Sequence, residues 1–251
     1  MSSTLIAVLV FVLVFAGALA GIAIRVPAQH QDSETRDVVK LVLGLIATMT
    51  ALVLSMLIAS AHTSYDRQES EVQQLGAQIV QLDELFVHYG SEANDSRKQL
   101  RRMVEAEFVR LWSGAGAARA DARAPQTYSP AEDLFTTVSG LKPNSEAQRS
   151  AQARALQLMT TMGTTIRLLY LQAGGSLSWP FFVVLVFWLV MLFAGFGLFA
   201  RRNATVIVAL FVGALTVAGA IFLILEMNRP YGGLMQLSSA PIRHALDQIG
   251  R

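Results

Sequence analysis

Two sets of polar residues lie beside or within long apolar stretches, where polar side chains are costly and therefore informative. Glu226 and Arg229 follow one uncharged stretch, and Thr48 and Ser55 lie inside another. A carboxylate at the end of a membrane helix costs free energy unless it meets water or a cation, so Glu226 is a candidate for ion contact. Hydroxyl groups on one helix face could line a watery path. The chemistry that these residue types indicate is contact with ions or water.

Each set also has a purely structural interpretation. Glu226 could form an interfacial ion pair with Arg229, which lies three residues along the chain. Thr48 and Ser55 belong to a face of small residues spaced by three and four positions, and tight helix packing with hydroxyls bonded to their own backbone produces such a face equally well. That face comprises Gly44, Thr48, Ala51, Ser55 and Ala59. The sequence leaves both interpretations open.

Four uncharged stretches are long enough for a helix, rising about 1.5 Å per residue, to cross a hydrocarbon core of roughly 30 Å. They are residues 5–24, 41–61, 181–200 and 204–225. Only Arg201, Arg202 and Asn203 separate the last two, which predicts an antiparallel hairpin. The composition agrees, because 53% hydrophobic and 15% charged residues make the chain too apolar for an ordinary soluble domain. The fold class predicted is an all-α membrane protein with four transmembrane helices in two pairs.

The first stretch has a rival interpretation as a cleaved signal peptide. Ala18-Leu19-Ala20 resembles a small-residue cleavage site, but no Lys or Arg precedes the stretch and its apolar character continues beyond that point. We therefore interpret it as a membrane span.

Small residues within the spans predict close helix packing. Gly17 and Gly21 form a GxxxG pattern that lets another helix approach, although small residues are also simply common in membrane helices. Gly44 and Gly213 lie in similar stripes in the second and fourth spans. We assign helix-packing roles to Gly17, Gly21, Gly44 and Gly213.

Residues 63–178 are rich in charge and predict a helical, water-facing insert between the two pairs of spans. Apolar residues at alternating steps of three and four, from Val72 to Tyr89, predict a long helix that continues the second span and ends at Gly90. Further helices are predicted at about 96–112, after Ser129, and from near Ser145. The domain boundaries are therefore 1–62, 63–178, 179–226 and a tail, 227–251, whose short amphipathic helix should dock on the membrane surface or on the insert.

A basic cluster opens the second helix of the insert. Arg97, Lys98, Arg101 and Arg102 lie where the helix dipole disfavours cations, so the cluster could hold an anion or lipid headgroups. We interpret it as a solvated face.

Several classes of protein are excluded. The chain has no Cys, so it has no disulfide framework, thiolate metal site or Cys nucleophile. Its histidines, at positions 30, 62, 88 and 244, are scattered, and no catalytic nucleophile, metal-ligand spacing or phosphate loop occurs. A net charge of +2 gives no reason to expect nucleic acid. We predict no enzyme activity, no metal, no cofactor and no nucleic-acid partner.

Four segments, together with the arrangement of spans around an insert, carry a family resemblance. They are YDRQE (65–69), LDELFVHYGSEANDSRKQLRR (82–102), the stretch that begins WPFFVVLVFWLV and ends RRNATV (179–206), and ILEMNRPYGGLMQLSSAPIRHAL (224–246). These segments resemble the bestrophin-like domain family of bacterial membrane proteins. The resemblance covers nearly the whole chain.

The resemblance implies a likeness to bestrophins, which are pentameric ion channels with four spans per subunit and a helical cytosolic region. It implies an oligomeric ion channel or pore of the bacterial inner membrane, with the lipid bilayer, small inorganic ions and further copies of the chain as partners. Thr48, Ser55, Glu226 and Arg229 are the candidates for the ion path. The alternative is a non-conducting structural or regulatory membrane protein that binds a partner through its insert.

Two indications of membrane orientation conflict. Basic residues near the spans favour cytoplasmic connectors: Arg25, Arg36, Lys40, Arg201 and Arg202 on the connector face, against Arg229, Arg243 and Arg251 in the tail. The resemblance implies the reverse. Arg67 and Arg167 flank the second and third spans on the same face as the tail. When they are added, each face has five basic residues near the spans. We follow the resemblance and predict a cytoplasmic insert with both termini in the cytoplasm.

Overall fold

The computed structural model describes residues 2–24, 33–112, 130–172, 179–200, 203–229 and 231–249. Within these ranges the ordered elements are helices, which confirms the all-α prediction. The helices are α1 (Ser3–Ala23), α2 (Ser33–Tyr89), α3 (Asn94–Trp112), α4 (Pro130–Ser139), α5 (Glu146–Gln172), α6 (Trp179–Phe199), α7 (Ala204–Met227) and α8 (Ala240–Gln248). Several residues named above lie outside the described residues: Arg25, His30, Ser129, Arg201, Arg202 and Arg251.

Four helices are long and apolar enough to cross a membrane: α1, α2, α6 and α7. Their ends follow from local chemistry. The Ser2 hydroxyl accepts a hydrogen bond from the Leu5 amide at 3.3 Å, and Asn203 caps α7 in the same way through the Thr205 amide. Gly90, with φ of 116°, lies directly after α2, because a residue with a side chain rarely adopts this backbone conformation.

The described chain divides into two compact units. The first contains Met1–Ser64 and Ser176–Asn228, and the second contains Tyr65–Gly175 and Arg229–Arg251. The helix α2 contributes its first part to one unit and its second part to the other. The C-terminal residues therefore belong to the same unit as the insert.

The first unit is held together by α1, which packs against α6 and α7. Val14 and Ala18 of α1, Leu185 of α6 and Ala214 of α7 are fully buried in its core. Phe211 of α7 lies edge-on to two phenylalanines of α1, Phe11 and Phe15, with ring centroids 5.3 and 5.5 Å apart. Such edge-to-face contacts add to the apolar packing between these helices.

The second unit has its core around the second part of α2. The predicted seam is confirmed, because every member is buried: Val72, Leu75, Ile79, Leu82, Phe86 and Tyr89. Helices α3, α4, α5 and α8 contribute to the same cluster.

The C-terminal segment docks on this core, so of the two docking places expected, the insert is the one observed. Ile242, Ala245 and Ile249 are buried in the cluster. The main chain of Pro241 lies so close to Gly76 that a Cβ there would be 3.0 Å from the Pro241 oxygen. The Trp112 indole N–H donates to the Leu237 carbonyl at 3.2 Å.

The solvated-face interpretation of the basic cluster is wrong for Arg97. Its guanidinium donates two hydrogen bonds of 2.8 Å to the Asp83 carboxylate, and its side chain is only 20% exposed. Arg101 donates to Glu105 at 2.9 Å and to the Ile249 carbonyl at 3.1 Å. These two arginines therefore join α3 to α2 and to the end of the C-terminal helix.

Candidate functional site

The face of α2 formed by Gly44, Thr48, Ala51, Ser55 and Ala59, here called the hydroxyl face, is exposed along its whole length. A different side of the same helix is covered by the first unit. Thr50 on that side is only 5% exposed, and the Leu43 side chain presses against Gly195 of α6. In the first unit α2 is therefore buried on one side and exposes its small polar side.

The two hydroxyls of this face are bonded to their own helix. Thr48 donates to the Leu45 carbonyl and Ser55 to the Ala51 carbonyl, each at 2.8 Å. With its proton engaged, each oxygen presents lone pairs, which can accept from water or contact a cation. Contact with an anion would require the hydroxyl to rotate and give up its backbone hydrogen bond.

Glu226 lies on a different helix and is almost fully covered. It is the last residue but one of α7, and it is 3% exposed. The following cap is made by Asn228, whose side-chain amide donates to the Ile224 carbonyl at 2.8 Å. The structure therefore does not bring Glu226 onto the exposed face that carries Thr48 and Ser55. Arg229 is half-buried and is the first described residue of the second unit's C-terminal part.

Gly17 and Gly21 of α1 face the main chain of α6. A Cβ on Gly17 would lie 3.2 Å from the Val190 oxygen, and one on Gly21 would collide with the Ala194 oxygen. Gly197 of α6 faces the main chain of α1 in the same way, since a Cβ there would collide with the Ala18 oxygen. The two helices thus approach backbone to backbone, a distance that only glycine permits.

The other two glycines that we assigned to packing have different surroundings. A Cβ on Gly213 would lie 3.3 Å from the Phe193 ring, so the side chain of Phe193 on α6 reaches α7 there. A Cβ on Gly44 would have no described atom within 4 Å. Gly44 belongs to the exposed hydroxyl face, where no described residue packs against it.

Sequence reasoning missed Gly195 and Gly197. They lie in the run AGFG at 194–197, whose small residues interrupt an otherwise aromatic helix and are the signal that could have identified them. It also missed a partly buried polar group in the second unit, formed by residues far apart in the chain.

This polar group consists of two half-buried carboxylates, the half-buried phenol of Tyr170 and the buried phenol of Tyr231. The Tyr170 hydroxyl donates to Glu107 at 2.7 Å, and burial together with this hydrogen bond raises the pKa of Tyr170. Glu71 accepts from the Gln172 amide at 3.2 Å. Burial raises the pKa of Tyr231, and the charge of Glu71 raises it further. The Tyr231 hydroxyl is buried with no hydrogen-bond partner among the described residues.

The described residues contain no group of three or more His, Cys, Asp or Glu side chains that could hold a metal ion. The polar features of the described chain include the hydroxyl face, the covered carboxylate of Glu226, the Arg97–Asp83 pair and the tyrosine–carboxylate group of the second unit.

Two solved structures of point variants of a bacterial bestrophin homologue from Klebsiella pneumoniae resemble this chain. One has a TM-score of 0.62 at 14% identity, covering 100% of this chain and 99% of its own. The other has a TM-score of 0.60 at 13% identity, with 97% and 99% covered. At this identity the likeness shows the fold alone.

No curated protein sequence matches the chain. The bestrophin-like domain, by contrast, matches residues 9–242. The chain therefore belongs to the bestrophin-like domain family.

Proposed function

We propose that this chain forms an oligomeric ion channel or pore of the bacterial inner membrane. The observation that carries the proposal is the hydroxyl face, which is exposed on a helix apolar enough to cross a membrane. Each hydroxyl oxygen on this face still presents lone pairs, which water or a cation in a central path can contact. The family supports the same conclusion, because the bestrophins that this sequence resembles are channels.

The assembly is a ring of identical chains. Beside the hydroxyl face, at about 70° around the helix, α2 exposes a second face of large apolar residues. Its members are Leu41, Leu45, Leu52 and Met56, of which Leu52 is 67% and Met56 73% exposed. In a ring, one face of a helix can look toward the axis while the adjacent one contacts a neighbour or lipid. The resemblance to bestrophins gives five copies. A detergent-corrected mass equal to one chain would refute the assembly.

Each candidate residue has a role in this proposal. Thr48 and Ser55 line the path, and Glu226 and Arg229 set the charge preference at its mouth. Gly17, Gly21 and Gly213 allow helices of one chain to approach closely. Gly44, the first residue of the hydroxyl face, allows neighbouring copies of α2 to converge at that end of the path.

The test is ion conduction by purified protein in planar bilayers. Thr48→Val and Ser55→Ala remove the hydroxyls with little change of volume, and we expect both to lower single-channel conductance. Thr216→Val is the matched control, because Thr216 is an exposed threonine of α7 with the same kind of backbone hydrogen bond, to the Val212 carbonyl at 2.9 Å.

Silence of the wild-type protein across ions and voltages would remove the channel. It would leave the alternative function, a non-conducting structural or regulatory membrane protein that binds a partner through its insert. Equal loss of conductance in Thr216→Val would show that the effect is not specific to the hydroxyl face.

The proposed orientation places the water-facing insert and both termini in the cytoplasm. A reporter fused after Arg251 tests it. Fluorescence from a protein that folds only in the cytoplasm supports this orientation, whereas activity of a phosphatase that needs the periplasm overturns it.

A further inference from the structure

A groove of about 520 Å³ lies on the second unit between α3, α4 and α5. Small-molecule sites in proteins usually have volumes of roughly 300–1000 Å³, so the groove is large enough for one such ligand. Its lining is mainly apolar, with Met103 and Met162 buried beneath Phe135, Met159 and Ile166. Methionine side chains are flexible and polarizable, which suits a site for a flexible apolar chain.

Gly163 deepens this groove. It lies in the interior of α5, where glycine is less favourable than alanine. A Cβ on Gly163 would have no described atom within 4 Å, so close packing against the described residues does not explain the missing side chain. The effect of glycine at this position is to leave space at the groove surface.

The hydroxyl groups that line the groove are already bonded. Thr160 donates to the Leu156 carbonyl at 3.0 Å, and Thr136 donates to the Glu132 carbonyl at 2.9 Å. A ligand therefore meets an apolar surface, with two charged side chains as the remaining polar contacts.

Those two charges are not equivalent. Glu132 lies in the first turn of α4, where the free backbone N–H groups of the helix stabilise its carboxylate. Arg167 lies five residues before the end of α5, so it precedes the last turn, where the helix C-terminus would stabilise a cation. Its side chain forms no ion pair within 4.0 Å in the described part of the chain. Among the described residues, Arg167 is therefore the charged side chain of the lining that has neither an ion-pair partner nor a nearby helix terminus to stabilise it.

We propose that this groove binds a single-chain anionic amphiphile, such as a medium-chain fatty acid. Its carboxylate contacts the Arg167 guanidinium, and its alkyl chain lies over Gly163 against the methionines and Ile166. All residues that line the groove belong to the second unit, so this proposal does not rest on the path-lining roles of Thr48 and Ser55 in the first unit.

The probe is decanoate with a terminal diazirine, photocrosslinked to the full-length protein in nanodiscs of zwitterionic lipid and mapped by peptide mass spectrometry. We expect labelling of α5 around residues 159–167 that unlabelled decanoate competes away. Arg167→Gln should weaken that competition about tenfold, as loss of one charge-assisted contact predicts. Gly163→Leu should abolish it by filling the groove.

Matched variants on the same helix serve as controls. Arg154→Gln removes an exposed arginine that does not line the groove, and Thr161→Leu adds volume outside it. Both should leave labelling unchanged, as should Gly163→Ala, which adds a single methyl group.

Three results would overturn the proposal. Label confined to the apolar spans would show partitioning into lipid only. Equal labelling by a diazirine-tagged decanol would show that the carboxylate is not recognised. A changed oligomeric mass in Gly163→Leu, with no labelling of the wild-type groove, would show that a helix of a second copy occupies it instead.

Discussion

Gly21 and Gly197 each lie where a methyl group would run into the main chain of the other's helix. A Cβ on Gly21 would collide with the Ala194 oxygen and lie 2.9 Å from the Leu198 nitrogen. A Cβ on Gly197 would collide with the Ala18 oxygen and lie 3.0 Å from the Ile22 nitrogen. The contact is reciprocal, so α1 and α6 cannot separate locally to accommodate a side chain on one of them without losing the other contact.

We expect Gly21→Ala and Gly197→Ala each to destabilise the first unit by about 2 kcal/mol, because backbone atoms cannot move aside as a side chain can. Gly219→Ala is the control, since a Cβ there would have no described atom within 4 Å. Unfolding by denaturant in detergent micelles measures the difference. Equal stability of Gly21→Ala and Gly219→Ala would contradict the close approach.

Gly163→Ala should have the opposite sign. The added methyl group meets no described atom, and alanine is favoured over glycine in a helix interior by about 1 kcal/mol. We expect a stabilisation of about 0.5–1 kcal/mol in the same denaturation assay. A destabilised variant would mean that Gly163 packs against something other than the described residues.

Two tyrosines of the second unit should respond differently to loss of their hydroxyl. Tyr170→Phe removes a 2.7 Å hydrogen bond to the Glu107 carboxylate, and we expect a loss of about 1.5–3 kcal/mol. Tyr231→Phe removes a buried hydroxyl that has no described partner, so its effect should be close to zero or stabilising. Similar losses in both variants would reveal a partner for Tyr231, such as a buried water.

Alkaline pH should destabilise the second unit through the same phenols. Burial, and then Glu107 or Glu71, raise the pKa of Tyr170 and Tyr231 above the ordinary value of 10.0. The unfolded chain ionises near pH 10 while the folded chain keeps the phenols neutral, so their contribution is complete below that pH and is lost as pH rises above it. Stability measured across this range should fall less steeply in Tyr231→Phe, and parallel curves would contradict the assignment.

Glu226→Gln should change ion selectivity. If Glu226 lies at the mouth of a path, loss of its negative charge should shift the reversal potential toward greater anion permeability, with assembly unchanged. Glu84→Gln, at an exposed carboxylate of the second unit, is the control. Identical reversal potentials in wild type and Glu226→Gln would leave Glu226 a structural role only.

The helices could be read from local sequence because the signals that determine them are local. Uncharged stretches of about 20 residues gave the apolar helices, and the three-four pattern from Val72 to Tyr89 gave the buried side of α2. Gly90 marked the end of that helix, since positive φ favours glycine.

Features that depend on how distant segments meet could not be read in this way. Arg97 looked like part of a solvated cluster because its partner Asp83 lies on a different helix. The role of Gly197 depends on where α1 crosses α6, and the groove needs α3, α4 and α5 together. The exposure of Thr48 and Ser55 likewise depends on which side of α2 the rest of the first unit covers.

The C-terminal segment is fastened by two hydrogen bonds whose acceptors belong to the main chain, at Leu237 and Ile249. Every amino acid supplies a backbone carbonyl, so no substitution at these two positions deletes the acceptor itself. Alanine scanning of the tail would detect lost burial there but not these bonds. The side chains on which they depend, Trp112 and Arg101, lie more than a hundred residues earlier, and related chains can vary the tail while keeping its attachment.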